Sequence, residues 1–136
     1  MAGYSATPLA KKLGLKPGML AAVQGAPWDY RTQLGLDFAP VALAADAPLP
    51  AGLNYLHIFT QLRMVTKARL RDARDGLHKD GMIWVSWPKK ASGLPSEING
   101  DVLREICLPM GLVDIKVCAV DEIWSGLKMV IRKALR

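Results

Sequence analysis

GMIWVSWPKKASG, residues 81–93, carries Met82, Ile83, Trp84, Val85 and Trp87 in one apolar run and then drops into Pro88-Lys89-Lys90. A run this apolar, broken only by Ser86, predicts a strand covered on both faces, as inside a parallel sheet. Proline cannot donate to a ladder, so Pro88 ends the strand, and the lysines behind it place that end at a solvent rim. Alternation sets Ile83, Val85 and Trp87 on one face and Met82, Trp84 and Ser86 on the other. Trp84 is expected as interior packing. Trp87, next to the end of the ladder, is expected to be only partly covered.

The same reading extends outward in both directions. From Leu62 to about His78 the period turns helical, with Leu62, Val65, Arg69 and Ala73 on one stripe widened by Leu70 and Leu77. Upstream, MLAAVQGAP (19–27), VALAAD (41–46) and LNYLHIFTQ (53–61) predict three apolar strands, and WDYRTQLG predicts one or two helical turns. The opening predicts a short helix over LAKKLGL, capped by Ser5 or Thr7, with Pro8 in its first turn and Lys16-Pro17-Gly18 as its stop. Downstream, Asn99 or Asp101 starts a second long helix whose apolar side carries Val102, Leu103, Ile106, Cys107 and Met110, with Gly111 after it. VDIKVCAVDEIW and GLKMVIRKAL then alternate about Ser125-Gly126, which predicts an antiparallel hairpin turning there. Strand, helix, strand, helix and terminal hairpin make an α/β domain: an open, mostly parallel Rossmann-like sheet closed by a C-terminal antiparallel hairpin. The segments 62–80 and 89–112 are long enough for parallel crossovers. One domain is expected over 1–136.

Composition narrows the function classes. The chain is 51% hydrophobic and 22% charged, with a net charge of +6, which suits a compact globular protein. No apolar run approaches the ~18 residues of a membrane span, and MAGYSATPLAKK lacks an apolar signal core, so no membrane and a cytoplasmic location are expected. Cys107 and Cys118 form no CxxC and read as free thiols. Arg63, Lys67, Arg69, Arg71, Arg74 and Lys79 crowd into one stretch. That run reads first as a solvated face, with nucleic-acid binding through 62–79 as an alternative. TPLAKKLGL imitates the first helix of a helix-turn-helix, but KPGMLAAVQG follows as strand, which argues against DNA binding by that route.

In open parallel sheets, ligands bind beyond the carboxyl ends of the strands. That rule gathers Gln24, Gly25 and Trp28 from the first strand end, Asp46 from the second and Thr60 from the third. The fourth adds Trp87, Lys89, Lys90 and Ser92, and Trp124 joins them if the hairpin's first strand runs parallel. These are the expected ligand-binding residues. A small anionic ligand or an acidic protein segment is the expected partner, drawn by the lysines as point charges. No catalytic set and no metal site are expected. His57 reads as an interior imidazole, His78 as a helix-end residue, and Ser86 and Ser92 have no recognisable base in sequence.

WVSWPKKASG, GLVDIKVCAVDEIWSGLK and YSATPLAKKLG resemble phrases of a small bacterial family without an established activity. The order of elements from Gly18 onward also resembles a shortened class I methyltransferase fold, whose sheet likewise closes with a strand hairpin. That resemblance implies a glycine-rich turn after the first strand, where backbone approaches a methyl donor. GAPWDY supplies Gly25 there, but Pro27 removes a donor and Trp28 fills space. Asp46 stands at the implied ribose-binding place. A degenerate S-adenosylmethionine-dependent methyltransferase is therefore the alternative to a non-catalytic binding domain.

Overall fold

A computed structural model describes residues 8–136. The expected caps Ser5 and Thr7 lie outside those residues. The order is α1 (Leu9–Leu13), β1 (Ala21–Gln24), α2 (Tyr30–Leu34), β2 (Val41–Leu43), β3 (Leu53–Phe59), α3 (Arg63–Gly76), β4 (Leu77–Pro88), α4 (Gly100–Cys107), β5 (Leu112–Ala119) and β6 (Trp124–Ile131). Short 3-10 turns cover Lys90–Ser92, Leu108–Met110 and Lys133–Leu135.

The strands form one six-stranded sheet in the order β2-β1-β3-β4-β6-β5. β1 pairs in parallel with β2 and β3, and β3 in parallel with β4, the last two joined through α3. β6 runs antiparallel to both β4 and β5, so β5 points the same way as the parallel strands. The fold is the mixed, mostly parallel Rossmann-like sheet with a closing antiparallel hairpin that the pattern predicts.

Each face of the sheet has its own core. Ile83, Val85 and Trp87 pack on one side with Leu56, Ile58, Leu70 of α3 and Leu103 and Ile106 of α4. Trp84 packs on the other with Leu13 of α1, Tyr30 and Leu34 of α2, Tyr55, Phe59 and Trp124. The expected alternation along β4 therefore holds. α4 starts at its Asn99 cap, whose side chain accepts from the Val102 amide at 2.9 Å. Arg104 in turn bridges α4 to Asp114 of β5 at 2.9 Å.

Four expectations need correction. α3 buries Thr66, Leu70 and Ala73, whereas Leu62 and Val65 of the expected stripe are exposed. Trp87 is only 9% exposed, because residues up to Ile98 pack over the end of β4 on the α3/α4 side. α1 stops at Gly14 in the left-handed region, before Lys16-Pro17-Gly18. The hairpin turns at Asp121–Ile123, where the Asp121 carboxylate accepts from the Ile123 and Trp124 amides at 2.8 and 2.7 Å. Ser125 and Gly126 lie inside β6. Gly126 is there for close approach: a Cβ would stand 3.1 Å from Ser86 Oγ and 3.2 Å from the Trp84 ring.

Trp84 is 0% exposed and its indole N–H donates to the Leu13 carbonyl at 2.7 Å, pinning α1 to the sheet. Trp84→Ala should cost about 3–5 kcal/mol, the range for deleting a large buried aromatic. Trp84→Phe should keep most of the packing and lose chiefly the hydrogen bond, about 1–3 kcal/mol for the orphaned carbonyl. Urea unfolding of the two variants checks the order.

Candidate functional site

The carboxyl ends of β1, β3 and β4 and the β5–β6 turn do meet at one edge, since Pro88 pairs with Trp124. They form two distinct regions there. The first is a crevice of about 660 Å³ beyond β1 and β2, walled by Val23, Gly25, Trp28 and Tyr30 on one side and by Pro40, Ala42 and Ala44 on the other. Its size suits a small ligand. Gly25 makes the turn into it with φ of 73°, and a Cβ there would meet the Phe59 carbonyl at 3.0 Å. Asp29 and Arg31 stand at its rim. Asp29 caps α2 by accepting from the Thr32 amide, and Arg31 Nε donates to the Leu36 carbonyl.

The second region is a closed aromatic and polar clasp. Trp28 Nε1 donates to Asp121 Oδ2 at 3.1 Å, tying the β1–α2 loop to the hairpin turn. Trp28 stands edge-on to Phe59, and Phe59 edge-on to Trp124, with ring centres 5.3 Å apart in both pairs. Lys89 Nζ donates to the Asp121 carbonyl at 2.9 Å and the Lys89 amide to the Ile123 carbonyl at 2.7 Å. Ser92 Oγ donates to the Lys89 carbonyl at 2.7 Å. Lys89 and Ser92 thus hold the loop, while Lys90 is exposed.

Of the expected ligand-binding residues, Gly25 and Trp28 border the crevice. Trp124 lies under the aromatic clasp, and Trp87 is buried on the opposite face of the sheet. Thr60 is buried and bonds Thr66 of α3 at 2.9 Å. Asp46 is exposed beyond β2. Gln24 is buried. Its Nε2 donates to the Ala44 and Ala47 carbonyls at 3.2 and 3.1 Å, and its Oε1 has no protein partner among the described residues.

Behind the crevice runs a buried polar chain that the sequence does not announce. Tyr55 OH bonds Tyr30 OH, Tyr30 OH bonds His57 Nδ1 at 2.7 Å, and His57 Nε2 bonds Ser86 Oγ at 2.7 Å. His57 also stacks on Phe59, with ring centres 4.2 Å apart. The set joins α2, β3 and β4, and its spacing in sequence matches no motif; only the parallel register brings His57 and Ser86 side by side. A Ser–His pair is the start of an activated nucleophile. Here both residues are 0% exposed, so no substrate reaches Ser86. Burial lowers the His57 pKa to about 3 and raises those of Tyr30 and Tyr55, so all three are neutral across the ordinary range.

No group of His, Cys, Asp or Glu among the described residues could hold a metal ion, and no helix among them is long and apolar enough to cross a membrane. Cys107 and Cys118 are free thiols in α4 and β5. On α3, Arg63 pairs with Glu105 at 3.1 Å and Arg74 Nε donates to the Met110 carbonyl at 3.0 Å, which leaves the exposed Lys67 and Arg71 and the half-buried Arg69 as its other cations.

No family profile and no curated protein sequence matches the chain. Solved structures do. A SAM-dependent methyltransferase from Aquifex aeolicus is similar with a TM-score of 0.64 at 16% identity, over 90% of this chain and 87% of that one. A putative type 11 methyltransferase from Sulfolobus solfataricus has a TM-score of 0.64 at 10% identity, over 92% and 90%. A TehB-like SAM-dependent methyltransferase from Corynebacterium glutamicum has a TM-score of 0.58 at 11% identity, over 96% and 91%. At these identities the likeness is one of fold: the chain has the methyltransferase-like Rossmann fold.

The neutral imidazole sets a pH dependence. The folded value of about 3 lies below the ordinary 6.5, so the unfolded chain takes up a proton that the folded chain refuses. His57's contribution to stability is whole above about pH 6.5 and is lost as pH falls from there toward 3, by up to about 1.4 kcal/mol per pH unit. Urea midpoints at pH 7 and pH 5 should drop more for the wild type than for His57→Gln. Equal drops would place the acid lability elsewhere.

Proposed function

We propose that this chain is a small-molecule-binding Rossmann-like domain whose ligand occupies the crevice beyond β1 and β2, without a complete catalytic set. The observation that carries this reading is the location of the crevice: it opens at the carboxyl ends of two parallel strands and is walled by Trp28 and Tyr30. An aromatic wall facing small alanine and proline side chains favours a ligand with a flat face. The ionic residues at the rim are one of each sign, Asp29 and Arg31, so the crevice has no strong preference for anions. Of the two rim lysines, Lys89 donates to the Asp121 carbonyl and Lys90 is exposed.

A second reading is favoured by the solved structures of similar fold, several of which are named as SAM-dependent methyltransferases. In that reading the crevice takes S-adenosylmethionine and the chain is a degenerate methyltransferase. What weighs against turnover is the surroundings of the crevice. Pro27 and Trp28 occupy the turn after β1, and His57 and Ser86 are sealed beneath the aromatic layer.

Thermal shift across a metabolite panel, repeated on two variants, tests the location. Ala42→Trp should fill the crevice and remove any ligand-dependent rise in Tm, while Lys90→Ala should leave it. The reverse pattern would move the ligand to the lysine rim. Calorimetry with S-adenosylmethionine and S-adenosylhomocysteine decides between the readings: binding heat abolished by Ala42→Trp supports the methyl-donor pocket, and no heat at high protein concentration removes it.

A further inference from the structure

We propose that Lys12, Lys116 and Lys128, gathered where the end of α1 crosses the β5–β6 hairpin, form a binding site for a phosphoryl group. The place is at the opposite edge of the sheet from the crevice, since β5 and β2 are the two outer strands.

Register creates the cluster. Lys116 and Lys128 sit directly opposite each other in the antiparallel β5–β6 pair. Like charges directly opposite on one face are destabilising. The arrangement depends on a bulge: Asp114 opposes Met129 and Lys116 opposes Lys128, leaving Ile115 without a partner. Without that extra residue, Lys116 would face Leu127 and point to the α3/α4 side. The bulge turns it to the α1 side, beside Lys128. Bulges commonly re-aim a side chain near a functional site.

α1 completes the arrangement. Lys116 Nζ donates to the Lys12 carbonyl at 3.1 Å, so α1 and β5 are held together at this point. The position of a Cβ on Gly14 lies 3.9 Å from Lys128 Nζ. Burial pushes up the thiol of Cys118, the next residue along that face of β5, and the charges of Lys116 and then Lys12 act in the opposite sense. Lys128 is held below the ordinary lysine range, first by burial and then by Lys116.

Nothing in the described chain neutralises these charges. The ion pairs among the described residues are Arg63–Glu105, Arg104–Asp101 and Arg104–Asp114, all on the side of α3 and α4. α1 is five residues long, and the carbonyl it offers is already used by Lys116. Lys11 and Lys16, at the same end of α1, add to the positive field. A compact oxyanion carrying two negative charges matches three ammonium donors better than a single carboxylate, and charge-assisted bonds to it would replace mutual repulsion.

Inorganic phosphate is the probe. At constant ionic strength set with sodium chloride, phosphate should raise the Tm of the wild-type chain in a saturable way. Lys116→Thr with Lys128→Met, read against its own Tm in chloride, should show no phosphate-dependent rise. A wild-type rise no larger than chloride produces, or an equal rise in the variant, would overturn the site. Amide shifts of the unmodified chain give an independent reading if the double variant does not fold. On phosphate titration they should move at Gly14, Lys116 and Cys118, and movement confined to other positions overturns the assignment.

Discussion

An imidazole buried between two strands has to be neutral and has to find a partner for each nitrogen, and His57 meets both demands at once. Its Nε2 reaches across the β3–β4 register to Ser86, and its Nδ1 reaches out of the sheet to Tyr30 on α2. Tyr30 is therefore anchored by its hydroxyl, and with it the helix that walls the crevice. Phe59 stacks on the same imidazole and supports Trp28 and Trp124 above it. One satisfied polar group thus sets the height and tilt of the aromatic layer at the strand ends. Removing a partner would leave a buried polar atom unpaired, which is why the chain has to be complete to be tolerated.

The strand-end edge is divided by a second constraint, Asp121. Its carboxylate accepts from two amides of its own turn and from the Trp28 indole, while its carbonyl accepts from Lys89. Four donors on one residue close the edge over β3, β4 and β6. The opening that remains lies beyond β1 and β2, where α2 is short and β2 has only three residues. The same clasp gives this part of the rim a structural role: Trp28 and Trp124 cover the sheet end, Trp28 donates to the Asp121 carboxylate and Lys89 to its carbonyl, while Lys90 stays exposed. The methyltransferase-like fold is kept, and the space above the central strands is filled from within the chain.

The two ends of the sheet manage their outer strands differently. β2 borders the crevice. β5 carries the Ile115 bulge, which interrupts its ladder and makes it a poor template for another strand. That bulge also brings Lys116 to Lys128, so one backbone irregularity shapes both the edge and its charge.

Much of the architecture was legible in the sequence, because burial writes itself into local pattern. The unbroken apolar runs at 53–61 and 81–88 and the Asn99 cap each depend on residues close in the chain, and each is found where the pattern puts it. The helix after Leu62 is there too, but it buries Thr66, Leu70 and Ala73 and leaves Leu62 and Val65 exposed. The face assignment of Trp84 followed from alternation alone. The misreadings came where a residue answers to a distant neighbour. Gly126 looks like a turn glycine, yet it is required by Ser86 and Trp84 on the next strand. Asp121 carries no signal in its local sequence, yet it caps a turn and holds Trp28, 93 residues away. His57 with Ser86, and Lys116 with Lys128, became neighbours only through strand register, which periodicity does not encode. The sequence by itself determined which segments are strands and helices and, along β4 and α4, which faces they bury. The tertiary structure decided which polar groups meet, because a hydrogen bond or a like-charge contact depends on register to within one residue, whereas burial depends only on period.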